Sequence, residues 1–162
     1  MTVTGRRNLG AMALLGIPAS AARAAGGDLS RQEPVEVVVE LGTPDGRHVF
    51  VPMTLRLETG RLYRLVLRNP SPDPHYFTSD GLANSVWTRK VQLVQTRADG
   101  RPEVLAEFKG AIREIEVYPG HAAEWWLVPV QAGRFDDLRC GIRAPDGRTH
   151  AEHGMRGEVI IT

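Results

Sequence analysis

The C-terminal stretch CGIRAPDGRTHAEHGMRGEVIIT (140–162) holds the only cysteine, two of the five histidines and one of the four methionines of a 162-residue chain. Its spacing is Cys140-x9-His150-x2-His153-x-Met155, followed at once by a run that reads as a strand. Thiolate, imidazole and thioether are soft to intermediate donors, the set that suits copper cycling between two oxidation states. Hard cations need clustered oxygens, and no such cluster stands here. Structural zinc takes four Cys or His ligands, usually with paired cysteines, which a single cysteine cannot supply. A trigonal copper site needs a second histidine, and NPSPDPHYF (69–77) offers His75 behind Pro70, Pro72 and Pro74. Three prolines restrict that loop, as expected of a ligand held in place before the metal arrives.

For these side chains to meet, their loops must be presented at one end of a rigid scaffold. The pattern that would build it is β throughout. VEVVVEL (35–41) alternates and is rich in branched residues, and TPDG (43–46) is a turn. HVFVPMTLRLETG (48–60) and RLYRLVLRN (61–69) read as strands around Thr59-Gly60, and VQLVQ (91–95) with EVLAEF (103–108) as a hairpin around Asp99-Gly100. IREIEVYPG (112–120), AEWWLVPV (123–130), GRFDDLRC (133–140) and GEVIIT (157–162) complete the strands. One helical candidate remains, a turn or two within SDGLANSVWTRK (79–90) starting near Ser79 or Asp80. Short strands at roughly ten-residue spacing predict a single all-β antiparallel sandwich.

The N-terminus reads differently. MTVTGRRNLGAMALLGIPASAARA (1–24) joins Arg6-Arg7 to a mildly apolar run and an Ala22-Arg23-Ala24 cleavage pattern. That predicts a cleaved secretory signal, too short and too weakly apolar to span a bilayer, with the twin arginines pointing to the folded-protein export route. Residues 25–34 then form a polar lead-in. The chain carries a formal +1, and losing Arg6, Arg7 and Arg23 with the signal leaves −2. That balance gives no attraction to nucleic acid or to anionic lipid. A bacterial periplasm is the expected location. In an oxidising space a lone thiol is a liability unless burial or a metal occupies it.

At these residues the sequence resembles the cupredoxins, the plastocyanin- and pseudoazurin-type blue copper proteins. The resemblance runs from about residue 35 to 162, on Asn69 followed by His75, on VYPGHAAEWWLVPVQAGRFDDLRC (117–140), and on HAEHGMRGEVII (150–161). It implies a Greek-key β-sandwich with at most one short helix and one mononuclear type 1 copper. His75, Cys140 and His150 would be its ligands, with Met155 the weak axial ligand. It implies one-electron transfer between redox partner proteins and no enzymatic turnover, from a monomer without membrane insertion once the signal is gone. One departure stands out: nine residues separate Cys140 from His150, where the family has two to four. The surplus APDGR (144–148) is a turn signature that would fold outward and return Thr149-His150 to the cysteine.

Two other readings share the fold: a copper chaperone or storage protein, and a metal-free interaction module. A trinuclear oxidase centre needs several His-x-His pairs, and this sequence has none; a binuclear copper site needs a second cysteine. His153 is the rival to His150 but leaves only one residue before Met155. His121 is expected in solvent and His48 to point outward from a strand. Of Trp125-Trp126 one indole should face inward, and Asp136-Asp137 should form a turn before the cysteine.

Overall fold

The computed structural model describes Met1 and residues 32–162. The expected signal at 1–24, apart from Met1, and all but the end of the 25–34 lead-in lie outside the described residues. The elements run β1 (Val35–Leu41), β2 (Phe50–Val51), β3 (Thr54–Leu57), β4 (Tyr63–Arg68), β5 (His75–Thr78), α1 (Asp80–Ser85), β6 (Val86–Thr96), β7 (Pro102–Phe108), β8 (Glu114–Val117), β9 (Ala122–Pro129), β10 (Gly133–Arg139) and β11 (Arg156–Ile161). They form two sheets, ordered β2-β1-β4-β9-β6-β7 and β3-β11-β10-β5-β8. The architecture is an all-β sandwich with one short helix, as the pattern predicts.

The antiparallel expectation needs one correction. β1 pairs with β4 in parallel, and so does β3 with β11. After β1 and β2 the chain passes to the other sheet as β3 and returns as β4, so β4 joins β1 by a crossover rather than a hairpin. Hydrophobic alternation reports which face of a strand is buried, and it is blind to the direction of its neighbour.

Alternation fills the space between the sheets. Val39 and Leu41 from β1, Leu65 and Leu67 from β4, Phe77 from β5, Trp125 and Leu127 from β9 and Leu138 from β10 are all buried. Phe77 meets Phe50 and Trp125 edge-on, with centroids 5.9 and 6.4 Å away, a favoured arrangement for aromatic rings. The neighbouring Trp126 faces outward, as β alternation requires, under the cations of Arg64, Arg89 and Lys90. Cys140 and Met155 belong to the same buried cluster, so the core runs directly into the loops at one end.

Helix α1 starts where the sequence marks it, with the Ser79 hydroxyl accepting from Leu82 N at 3.1 Å. Asp136-Asp137, expected as a turn, lie inside β10 at an irregularity between Phe135 and Leu138. A bulge bends a strand and re-aims a side chain. Here Asp137 accepts hydrogen bonds from the Ser79 hydroxyl (2.5 Å) and the Gly81 N–H (2.7 Å), tying α1 to β10.

Candidate metal centre

Two connections supply the site, one passing from the six-stranded sheet to the five-stranded sheet and one within the five-stranded sheet. The first leaves β4 at Asn69 and enters β5 at His75, which pairs with Val117 of β8. Asn69 is buried, and its carboxamide donates to the carbonyls of Asp73 (2.8 Å) and Val117 (2.7 Å) while accepting from Ser71 N (2.9 Å). Ser71 in turn accepts from Asp73 N at 3.2 Å. The prolines restrict this loop, and the asparagine fastens it to β8.

The second connection runs from Cys140, just past β10, to Met155, just before β11. The surplus residues fold as expected. Arg143 bridges Thr149, and Gly147 N donates to Ala144 O at 2.9 Å, making a small exposed hairpin. His150 N then donates to Ile142 O (2.8 Å) and Ala151 N to Cys140 O (2.9 Å), which returns His150 to the cysteine. A turn over 149–154 follows, in which Glu152 accepts from Thr149 N while the Thr149 hydroxyl accepts from Glu152 N. This reciprocal pattern is that of a capping box.

These connections bring together three donor atoms. His75 Nδ1 and His150 Nδ1 lie 3.1 Å apart, and Cys140 Sγ lies 3.5 Å from the latter and 3.8 Å from the former. Donors that share one ion at about 2.0–2.3 Å are themselves about 3–4 Å apart. The three residues are buried together and fit one metal ion. Two imidazoles and a thiolate are the donor set of a copper site. Met155 is fully buried beside them. Its N–H donates to His150 O (2.9 Å), and its carbonyl accepts from Cys140 N (3.2 Å).

His75 is held from behind. With Nδ1 turned to the cluster, Nε2 is buried without a hydrogen-bond partner. Behind it lies Gly42, whose φ is +76°. A Cβ there would stand 2.6 Å from His75 Nε2 and 2.7 Å from Ser71 Cβ, so only glycine fits. The Cys140 sulfur is placed by the backbone N–H of Tyr76, which donates to it at 3.2 Å.

Burial sets the protonation of the metal-free site. Desolvation, with the neighbouring His150 and His48, pushes His75 down to about 4, against a weaker opposing pull from Asp73. Desolvation and His48 also lower His150. Both rings are therefore neutral at pH 7, with lone pairs free for a metal. Desolvation raises the Cys140 thiol, while the backbone N–H groups of Ile142 and Tyr76 pull it back. A metal entering this site must displace the thiol proton.

The remaining histidines divide. His153 turns away from the cluster, its Nε2 3.0 Å from the Asp146 carboxylate. His121 is exposed, with its Nδ1 2.8 Å from the Pro119 carbonyl. His48 departs from expectation: it lies in the loop between β1 and β2 rather than on a strand, and it stacks on His150 instead of pointing outward. Nothing in the local sequence marks it, because its partner is a hundred residues away on the other sheet. Gly42 and the Tyr76 N–H were equally unmarked.

The sandwich with a His–Cys–His cluster at one end defines a cupredoxin-type fold. No protein-family model matches the sequence, and a comparison with curated proteins gives no match. Among solved structures, a multicopper oxidase from Campylobacter jejuni, described as a metallo-oxidase, superposes with a TM-score of 0.53 at 16% identity over 80% of this chain. This chain spans 30% of that oxidase's length. Auracyanin B gives a TM-score of 0.46 at 15% identity, covering 81% of this chain and 91% of its own. The dithionite-reduced auracyanin of Roseiflexus castenholzii gives 0.44 at 14% identity, covering 80% and 99%.

Proposed function

We propose that this chain is a type 1 copper protein that passes single electrons between redox partner proteins and transforms no substrate itself. The observation that carries this reading is the buried convergence of His75 Nδ1, His150 Nδ1 and Cys140 Sγ. Bound copper would supply a one-electron couple and a copper–thiolate bond that absorbs visible light. His75 and His150 present neutral imidazoles, and Cys140 presents the sulfur. Met155, buried beside them, would be the weak fourth ligand. The Tyr76 N–H, which donates to Cys140 Sγ, would tune the metal through it. The buried setting holds the donors with little room to rearrange, which suits electron transfer better than ready metal exchange.

The lead sequence supports export to the periplasm and cleavage close to Ala24. Among the described residues no helix is long and apolar enough to cross a membrane. Periplasmic protein is expected to show the mass of the cleaved chain.

The deciding experiment is titration of the reduced protein with cupric ion. One equivalent should give an intense visible band that a one-electron reductant bleaches reversibly, and Cys140→Ser should abolish it. A colourless protein at stoichiometric copper, with the thiol shown to be reduced, would overturn the reading. Tight cuprous binding would then favour copper handling, and no binding would favour a metal-free interaction module.

A further inference from the structure

The β1–β2 connection, residues 42–49, touches both imidazoles of the cluster. At its start Gly42 closes the space behind His75. Near its end His48 lies flat on the ring of His150, with centroids 3.8 Å apart and planes 18° from parallel. His48 also meets His75 edge-on at 5.8 Å and His153 at 5.6 Å. Its own Nε2 lies 3.8 Å from the carboxylate of Asp73, in the loop that carries His75. A side chain from the β1–β2 loop of the six-stranded sheet thus meets both the β4–β5 loop and the β10–β11 loop.

We propose that His48 is a positioning residue for the metal centre: its ring fixes the orientation of the His150 imidazole, keeping Nδ1 on Cys140 and His75 before and after metal binding. This rests on His150 being a metal ligand. The need arises from what the backbone leaves undone. His150 N donates to Ile142 O, and His150 O accepts from Met155 N and His153 N. Those bonds place the Cα but leave both side-chain torsions free, and the torsion next to an imidazole ring is broad and two-fold. Half a turn about that bond removes Nδ1 from the cluster. His75 is protected from such a turn by complete burial against Gly42 and Ser71. His150 is also buried, and part of what covers its ring is the flat face of His48. The polar edge of the His48 imidazole also faces the Asp73 carboxylate, in the loop that carries His75, at 3.8 Å.

The role requires a flat aromatic face, so two variants separate it from simple filling of space. His48→Phe keeps the stack, and His48→Ala removes it. In the metal-free protein, NMR should show one set of ring-proton contacts from His150 to Cys140 and His75 in the native chain and in His48→Phe. In His48→Ala those contacts should be averaged or lost. In the copper-loaded protein, transfer of copper to a chelator should be about 2- to 10-fold faster in His48→Ala, the effect of losing one stacked aromatic pair. His48→Phe should restore a near-native rate. Unchanged His150 contacts and an unchanged transfer rate in His48→Ala would overturn the proposal. So would His48→Phe behaving like His48→Ala with both variants folded by circular dichroism. If the native protein took up no copper, the proposed function would fail, while the metal-free NMR comparison would still decide the role of His48.

Discussion

The two ligand loops reach the same point by opposite means. The 69–75 loop is short, proline-stiffened and sealed: Asn69, Ser71 and His75 are all buried, and one carboxamide makes three hydrogen bonds to hold it. The 140–155 loop is long and largely self-supporting. Its hydrogen bonds are mostly local, between Ile142 and His150, Ala144 and Arg148, and Thr149 and Glu152, and residues 145–148 are exposed. One loop is locked by a buried asparagine that ties it both to itself and to β8, and the other by its own turns. Length should therefore vary more freely in the second than in the first without moving the proposed ligands.

The largest effect should come from breaking the lock of the sealed loop. Asn69→Ala leaves Val117 O and Ser71 N, both buried, and the part-buried Asp73 O without their partner, and each buried group so stranded costs about 1–3 kcal/mol. A total loss of about 3–5 kcal/mol is expected in urea unfolding of the metal-free protein. A loss below about 1 kcal/mol would show that the prolines alone suffice.

Next in size is the acid sensitivity of the sealed ligand. His75 has a pKa of about 4 folded, against 6.5 for the free side chain, so as pH falls the unfolded state takes up its proton first. The contribution to stability of a neutral His75 is fully present above about pH 6.5. It declines through the interval down to about pH 4 and is lost below it, a change of roughly 3 kcal/mol. Urea midpoints of the metal-free protein at pH 7 and pH 4 measure it, and His75→Gln should make the difference smaller, with His150 and the lowered carboxylates supplying the remainder.

The smallest effect should come from the self-supporting loop. Replacing Ala144–Arg148 by Asn-Gly closes the Arg143–Thr149 bridge with a two-residue hairpin turn. It leaves Thr149, His150 and the 149–154 turn in place. Stability should change by less than about 1 kcal/mol, with the copper-dependent visible band unaltered. A lost band would show that the excursion positions His150, and would remove the contrast between the loops.

Much of this was written locally. The β runs carry their period of two, Ser79 sits at a helix start, and APDG makes the turn its residues demand. Cys140, His150 and Met155 share one short segment, so their spacing alone gathers three soft donors, and His75 follows three prolines. What the sequence did not disclose are contacts between segments far apart in the chain. Parallel pairing of β1 with β4 depends on a crossover, and Asp137 serves a helix fifty residues before it through a bulge. His48 has no spacing relation to His150, and it acquires one only when the two sheets pack and lay the β1–β2 loop over the site. Periodicity, turn chemistry and donor type are properties of neighbours along the chain, so the sequence determined the strands and the donors. Which ring lies against which is a property of packing between loops, and only the tertiary structure decided it.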